Sequence, residues 1–93
     1  MLAEIQYEQA LHGIDPTLAA VKRKREEQLE KWGTQDHDPE MWYAILGEEF
    51  GEVGKEIAEG RIKPFDKAKY RKECLHTAAV ALAMVQCVDD GIA

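Results

Sequence analysis

Apolar residues recur along the chain with the spacing of helices, and no stretch shows the alternation of a strand. From Thr77 to Val88 the chain is apolar nearly all round, which indicates a helix that is buried on two sides, one against its own chain and one against a second subunit. The pattern therefore predicts an all-α fold. The clearest apolar stripe on one helix face, at 100° per residue, contains Trp42, Ile45, Leu46, Val53 and Ile57.

Start and stop signals divide this pattern into three main helices. An aspartate that can cap a helix stands at Asp15, Asp38 and Asp66, and proline follows the first two in the first helical turn. A glycine follows each predicted end. Because the loops between the helices are short, we expect an antiparallel helical bundle. The predicted helices cover residues 16–31, 39–59 and 67–90.

Residues 1–15 form a weakly patterned extension of the chain. At most, they predict a short extra helix from Leu2 to Leu11, closed by Gly13. With 93 residues, the whole chain is expected to be one helical domain. So short a chain buries a modest fraction of its surface, and we therefore expect the bundle to be completed by self-association, as a homodimer or homotetramer.

Composition and charge exclude several classes of protein. The chain is 45% hydrophobic and 32% charged, as in a foldable globular domain. A net charge of −6 argues against binding to a nucleic-acid polymer, which needs a basic face. The longest apolar run, Ala78 to Val85, is far shorter than the roughly 20 residues of a membrane span. With no signal segment at the start, we expect a cytoplasmic protein without a membrane partner.

Both cysteines fall on the third predicted helix. At about 1.5 Å per residue, Cys74 and Cys87 would be roughly 20 Å apart, too far for a disulfide. We interpret them as small packing residues in a reducing compartment, and the alternative is a redox or metal role.

Several carboxylates lie on or beside the apolar stripe of the second helix. Glu49 lies within the stripe, Glu52 and Glu56 lie at its border, and Glu48 projects further round. An unpaired carboxylate on a buried face is costly, and it is normally neutralised by a proton, a cationic partner or a metal ion. The stripe therefore marks a candidate site.

The third helix carries a second pair of possible ligands, Glu73 and His76, which lie three positions apart on one face. Antiparallel packing would bring them opposite Glu49 and Glu52, because each pair lies about a dozen residues from the connecting turn. Oxygen ligands on facing helices suit Mg²⁺ or Mn²⁺, which also bind phosphates. In the alternative that stays open, the acids form salt bridges on a solvated face with Lys55, Arg71 or Lys72.

Two short motifs resemble the metal-binding signature of a known enzyme family. Residues 47–53, Gly-Glu-Glu-Phe-Gly-Glu-Val, are followed about twenty residues later by Arg71-Lys72-Glu73. This arrangement resembles the Glu-Glu-x-x-Glu and Glu-x-x-Asp motifs of the MazG-like nucleoside triphosphate pyrophosphohydrolases. Residues 30–37 and 78–83 also resemble stretches of small members, so the resemblance covers residues 21–88.

This resemblance implies an all-α enzyme that hydrolyses a nucleoside triphosphate, dNTP or NTP, to the monophosphate and pyrophosphate. It implies Mg²⁺ as the cofactor, with Mn²⁺ as a second possibility. By position, Glu49, Glu52 and Glu73 would bind the metal, and Glu48 would bind it or position the attacking water. Glu48 and Glu49 are thus the candidate catalytic residues, at a metal that activates water and holds phosphate oxygens.

One position departs from the family motif, because His76 stands where the final aspartate would be. Histidine binds Mn²⁺ or Zn²⁺ and is a poor ligand for Mg²⁺. Three interpretations stay open: a metal ligand that shifts metal preference, a nearby group that contacts substrate, or a sign of impaired chemistry.

The segment that follows the first helix is the candidate for base or sugar recognition. Trp32 offers a stacking face, and the polar residues after it offer hydrogen-bonding edges. In the alternative, Trp32 and Trp42 fill the core, while Asp36 and Asp38 satisfy turn and cap groups. The candidate substrate-binding residues are Lys31, Trp32, Gln35, Asp36, His37, Lys55, Arg71 and Lys72.

Three hypotheses for function follow. The first is a metal-dependent nucleoside triphosphate pyrophosphohydrolase. The second is a noncatalytic helical interaction or regulatory module that retains the fold. The third is a metal-dependent phosphohydrolase that acts on another phosphorylated substrate.

Overall fold

The computed structural model describes residues 2–92 and contains three α-helices. Within these residues there is no strand, so the predicted all-α bundle is confirmed. No helix in residues 2–92 combines the length and the apolar character needed to cross a membrane. The helices are α1 (Leu2–Trp32), α2 (Pro39–Glu59) and α3 (Lys67–Asp89).

The predicted caps of α2 and α3 are confirmed. The Asp38 carboxylate accepts a hydrogen bond of 2.8 Å from the Met41 amide, and Pro39 occupies the first turn of α2. The Asp66 carboxylate accepts one of 3.0 Å from the Lys69 amide and so begins α3. Each aspartate satisfies an amide that the first turn of its helix leaves without a partner.

The first helix is longer than the sequence predicts. The break expected between Gly13 and Pro16 is wrong, because α1 runs through both residues as one helix of 31 residues. Gly13 does not take up the left-handed conformation that would end a helix, whereas Gly33, with φ of 70°, does. Pro16 lacks the amide that would bond to the carbonyl four residues earlier, and α1 continues without that hydrogen bond.

Helix α3 lies at the centre of the fold, because α1 and α2 each pack against it and not against each other within residues 2–92. Helices α2 and α3 are antiparallel: Trp42 meets Cys87 near one end, and Glu49 meets His76 further along. The indole N–H of Trp42 donates to the Cys87 sulfur at 3.3 Å. The core formed by this pair of helices contains Trp42, Val80, Ala83 and Cys87, with Ile45, Leu46 and Met84 packed against it.

The buried Cys87 fits its interpretation as a packing residue, and Cys74 and Cys87 are both free thiols. The predicted stripe on α2 is buried only in part, because Ile57 at its far end is exposed. On α1, the buried Arg25 donates from Nε to the Gln86 side-chain oxygen of α3 at 3.0 Å. This hydrogen bond joins the first helix to the third.

Part of the apolar surface of α3 stays exposed within a single chain, although α1 and α2 both pack against this helix. Ala79, Val80 and Ala83 are buried, whereas Val85 and Val88 are exposed. The radius of gyration is 15.8 Å, compared with about 12 Å for a compact domain of this length. Self-association, which would cover this apolar surface, stays a prediction.

Candidate functional site

Two carboxylates and one imidazole converge between α2 and α3. One ligand atom from each of Glu49, Glu73 and His76 lies within 4.8 Å of the others. The His76 Nδ1 atom is 3.6 Å from the Glu49 Oε2 atom and 3.5 Å from the Glu73 Oε2 atom. All three side chains are half-buried. The structure thus brings together three of the four residues that the sequence placed on facing helices, and Glu52 is not among them.

The helical framework explains why these three residues meet. Glu73 and His76 lie one turn apart on α3, on the face that continues into the buried Val80 and Ala83. Glu49 follows the buried Trp42 by two turns on α2. Because the core fixes both faces toward each other, the polar residues at the next level of the same interface also face each other.

The electrostatics of the cluster favour a bound cation. Partial burial raises the pKa of Glu49 above its ordinary value; His76 opposes this rise, and the negative charges of Glu73, Glu52 and Glu48 add to it. Both effects that raise the pKa reflect a cost of holding the ionised carboxylate there. A divalent cation would offset that cost and would be held by the same oxygen and nitrogen atoms.

In metal-free protein, we expect stability to depend on pH through Glu49. Since its pKa is raised on folding, its stabilising contribution is complete below the usual glutamate pKa and is lost as the pH rises through the raised value. Glu49→Gln imitates the neutral carboxyl. In EDTA, its urea midpoint should exceed that of the wild type at pH 7 and converge with it near about pH 4. An equal difference between the urea midpoints of the two proteins at pH 7 and near about pH 4 would contradict this account.

A pocket of 350 Å³ opens beside the cluster and is lined by residues of all three helices. Glu49 and His76 form one part of its wall, and Lys72 of α3 lies next to them. The facing part of the wall comes from α1. Its residues there are Lys24, Glu27, Gln28, Lys31 and Trp32.

Three lysines therefore line a pocket that also reaches the carboxylate cluster. Lys24 is paired with Glu27, since its Nζ atom lies 2.7 Å from Oε2. Lys31 places its Nζ atom 4.7 Å from the centre of its neighbour's indole ring, that of Trp32, in a cation–π contact. Ammonium groups next to candidate metal ligands form a suitable environment for the oxygens of a polyphosphate.

The two tryptophans have different surroundings, so neither interpretation of them holds for both. Trp42 is buried, 2% exposed, and His37 contacts the edge of its ring with 4.9 Å between ring centres. Trp32 is 55% exposed and lines the pocket. Trp42 thus serves the core, whereas the indole face of Trp32 is accessible to a ligand.

Several predicted site residues lie outside the cluster and the pocket. Glu48 and Glu52 are exposed on α2 and act on Glu49 through their charge alone. Lys55 and Arg71 are exposed and line no part of the 350 Å³ pocket. Gln35 and Asp36 instead line a separate cavity of 120 Å³, together with Arg25, Gln86 and Cys87.

Lys31 and Trp32 of α1 were predicted as substrate-binding residues and line the pocket, whereas Lys24, Glu27 and Gln28 were not predicted. Lys24, Gln28 and Lys31 occupy positions i, i+4 and i+7, which form one face of a helix. This spacing is visible in the sequence, but nothing in it indicates that this face turns toward α3. The crossing of α1 over α3 supplies that information.

Comparisons of the chain with protein-family profiles, with curated proteins and with solved structures find no match. The resemblance to MazG-like pyrophosphohydrolases therefore rests on the motifs alone, and the site is interpreted from its own geometry.

Proposed function

We propose that this protein is a metal-dependent hydrolase that converts a nucleoside triphosphate, dNTP or NTP, and water to the monophosphate and pyrophosphate. One observation carries the proposal: Glu49, Glu73 and His76 converge, and two of them, Glu49 and His76, line a pocket that three lysines also line. Carboxylates together with ammonium groups match a substrate that is itself a complex of metal and phosphate.

The donor set of the cluster fits a divalent cation. Glu49, Glu73 and His76 would hold it, and the ligand atoms already lie within 4.8 Å of one another. Two carboxylates suit Mg²⁺ or Mn²⁺, and the imidazole favours Mn²⁺. When bound, the metal lowers the pKa of a coordinated water and offsets negative charge on the phosphates.

The side chains of the chain supply the remaining parts of the reaction. Lys24, Lys31 and Lys72 bind phosphate oxygens and offset the charge that develops on the leaving pyrophosphate. Glu49 would hold the metal through one carboxylate oxygen and accepts the proton of the attacking water on the other. The exposed face of Trp32 stacks against the base or sugar.

Incubation of the purified protein with a panel of dNTPs and NTPs, with Mg²⁺ or Mn²⁺, tests the proposal. We expect monophosphate and pyrophosphate as products. Release of orthophosphate would instead support a phosphohydrolase with another substrate. If no nucleotide in the panel is hydrolysed, that result would support a noncatalytic helical module and would overturn the proposed reaction.

Replacement of His76 by aspartate tests its role at the metal. We expect His76→Asp to raise turnover with Mg²⁺ and to reduce the preference for Mn²⁺, because an anionic oxygen replaces a neutral nitrogen at the cluster. The measurement is kcat/KM with Mg²⁺ and with Mn²⁺ for the wild type and for each variant. His76→Asn, which offers no charge, is the matched control. Equal metal preference in all three proteins would exclude His76 as a ligand.

The proposed enzyme is a cytoplasmic homodimer or homotetramer. Support comes from the exposed apolar residues along α3, Leu82, Val85 and Val88, which a second copy would cover. Sedimentation equilibrium of the wild type and of Val85→Asp tests this part. A monomeric wild type at micromolar concentration would contradict it.

A further inference from the structure

One ion pair on α1 stands inside the pocket and has no part in the core. Lys24 and Glu27 line the pocket, and the Lys24 Nζ atom lies 2.7 Å from the Glu27 Oε2 atom. The lysine side chain is 19% exposed, whereas that of the glutamate is 56% exposed. Most of the lysine side chain is therefore covered, and its acidic partner faces solvent.

This pair differs from an ordinary salt bridge on a helix surface. Exposed i,i+3 pairs contribute little to stability, because water competes for both groups. Here the pocket is also lined by Lys31 and Lys72, so the pair shares the pocket with two further lysines and with Glu49 and His76. The Lys24 ammonium, by its hydrogen bond and its charge, holds the pKa of Glu27 below its usual range. Glu27 is therefore ionised at neutral pH.

We propose that Lys24 binds the polyphosphate of the substrate and that Glu27 competes with the phosphate for it, so that Glu27 limits substrate affinity. The inference deepens the proposed function and rests on it for the identity of the substrate. An ammonium has three N–H donors in a flexible arrangement, so Lys24 can exchange a carboxylate partner for a phosphate oxygen. Glu27 also places a negative charge in a pocket that receives an anion, which lowers its affinity.

Two substitutions should therefore change affinity in opposite directions. Lys24→Met removes the ammonium and keeps most of the aliphatic stem, so binding should weaken by about 10-fold, the effect of one charge-assisted hydrogen bond. Glu27→Gln removes the competing charge at nearly constant shape, so binding should tighten by about 3-fold or more. Lys24→Arg keeps the charge and should retain at least half of the wild-type affinity.

Matched controls lie next to each residue on the same helix. Lys22 and Glu26 are exposed and lie outside the pocket. Lys22→Met and Glu26→Gln change the net charge by the same amounts as the test variants. Each should alter affinity less than 2-fold, so the controls separate a local contact from a change in overall charge.

The experiment is calorimetric titration of each variant with inorganic tripolyphosphate, first in EDTA and then with Mn²⁺, together with KM and kcat for the preferred nucleotide. We expect opposite shifts in Kd and KM for Lys24→Met and Glu27→Gln. An unchanged or weaker Kd for Glu27→Gln, or an unchanged Kd for Lys24→Met, would overturn the inference. Circular dichroism spectra that match the wild type show that a shift in Kd is not a loss of fold.

The outcomes of the two proposals are distinguishable. If no nucleotide is hydrolysed, the proposed function fails, while the tripolyphosphate titrations still decide the role of Lys24 and Glu27. If nucleotides are hydrolysed and both variants bind as the wild type does, the function stands and this inference fails.

Discussion

Glu49→Gln is expected to lower kcat by about 10²- to 10⁴-fold, the range associated with loss of a positioned general base. The substitution keeps the shape of the side chain and removes both its charge and its ability to accept a proton. It also removes one of the two carboxylates in the cluster with His76. The expected loss of turnover should therefore be accompanied by weaker binding of Mn²⁺.

The measurement is single-turnover hydrolysis with saturating nucleotide, combined with a metal titration followed by calorimetry. Glu40→Gln is the matched control, because Glu40 lies exposed in the first turn of the same helix. The two predictions for Glu49→Gln point in opposite directions, toward higher stability without metal and toward lost activity. A variant with wild-type kcat would exclude Glu49 from the chemistry.

Trp42→Ala is expected to lower the free energy of unfolding by about 3–5 kcal/mol, the usual cost of removing a large aromatic side chain from a core. Trp42 is 2% exposed and packs between Val80, Ala83 and Cys87. It also donates the indole hydrogen bond to the Cys87 sulfur. Since the free energy of unfolding of a small domain is only about 5–15 kcal/mol, much of the variant should be unfolded well below the transition temperature of the wild type.

Urea denaturation followed by circular dichroism at 222 nm measures this loss. Trp32→Ala is the matched control, because Trp32 is 55% exposed and makes its ring contact with Lys31 at the surface. Its free energy of unfolding should fall by no more than about 1 kcal/mol. Equal losses in the two variants would show that the core is not where the structure places it.

Local signals determined the parts of the fold that the sequence predicted correctly. The caps at Asp38 and Asp66 are fixed by a single side chain and the amide three residues later, so they are readable without tertiary information. The predicted helix break at Pro16 is wrong because local signals alone do not decide whether a helix ends there. Proline is disfavoured inside a helix but not excluded, and the outcome depends on the conformation of Gly13, which the sequence leaves free.

The candidate site was predictable to the extent that it depends on two antiparallel helices. Glu49, Glu73 and His76 meet because their distances from the connecting turn match. Glu52, assigned as a ligand from the motif, lies three residues further along α2 and is exposed. The remainder of the pocket depends on how α1 crosses α3, and this angle is set by packing between distant residues such as Arg25 and Gln86.

The position of the central helix has a mechanical consequence. Within residues 2–92, the backbone of α1 lies close to that of α3 and not to that of α2, so the lysines of α1 are positioned relative to Glu49 through α3. A small rotation of α1 would move Lys24 and Lys31 together, because both residues belong to this one helix. The hydrogen bond of 3.0 Å between Arg25 and Gln86 is one of the contacts that hold α1 against α3. A change in the contact between the first and third helices would therefore change the distance between these lysines and Glu49.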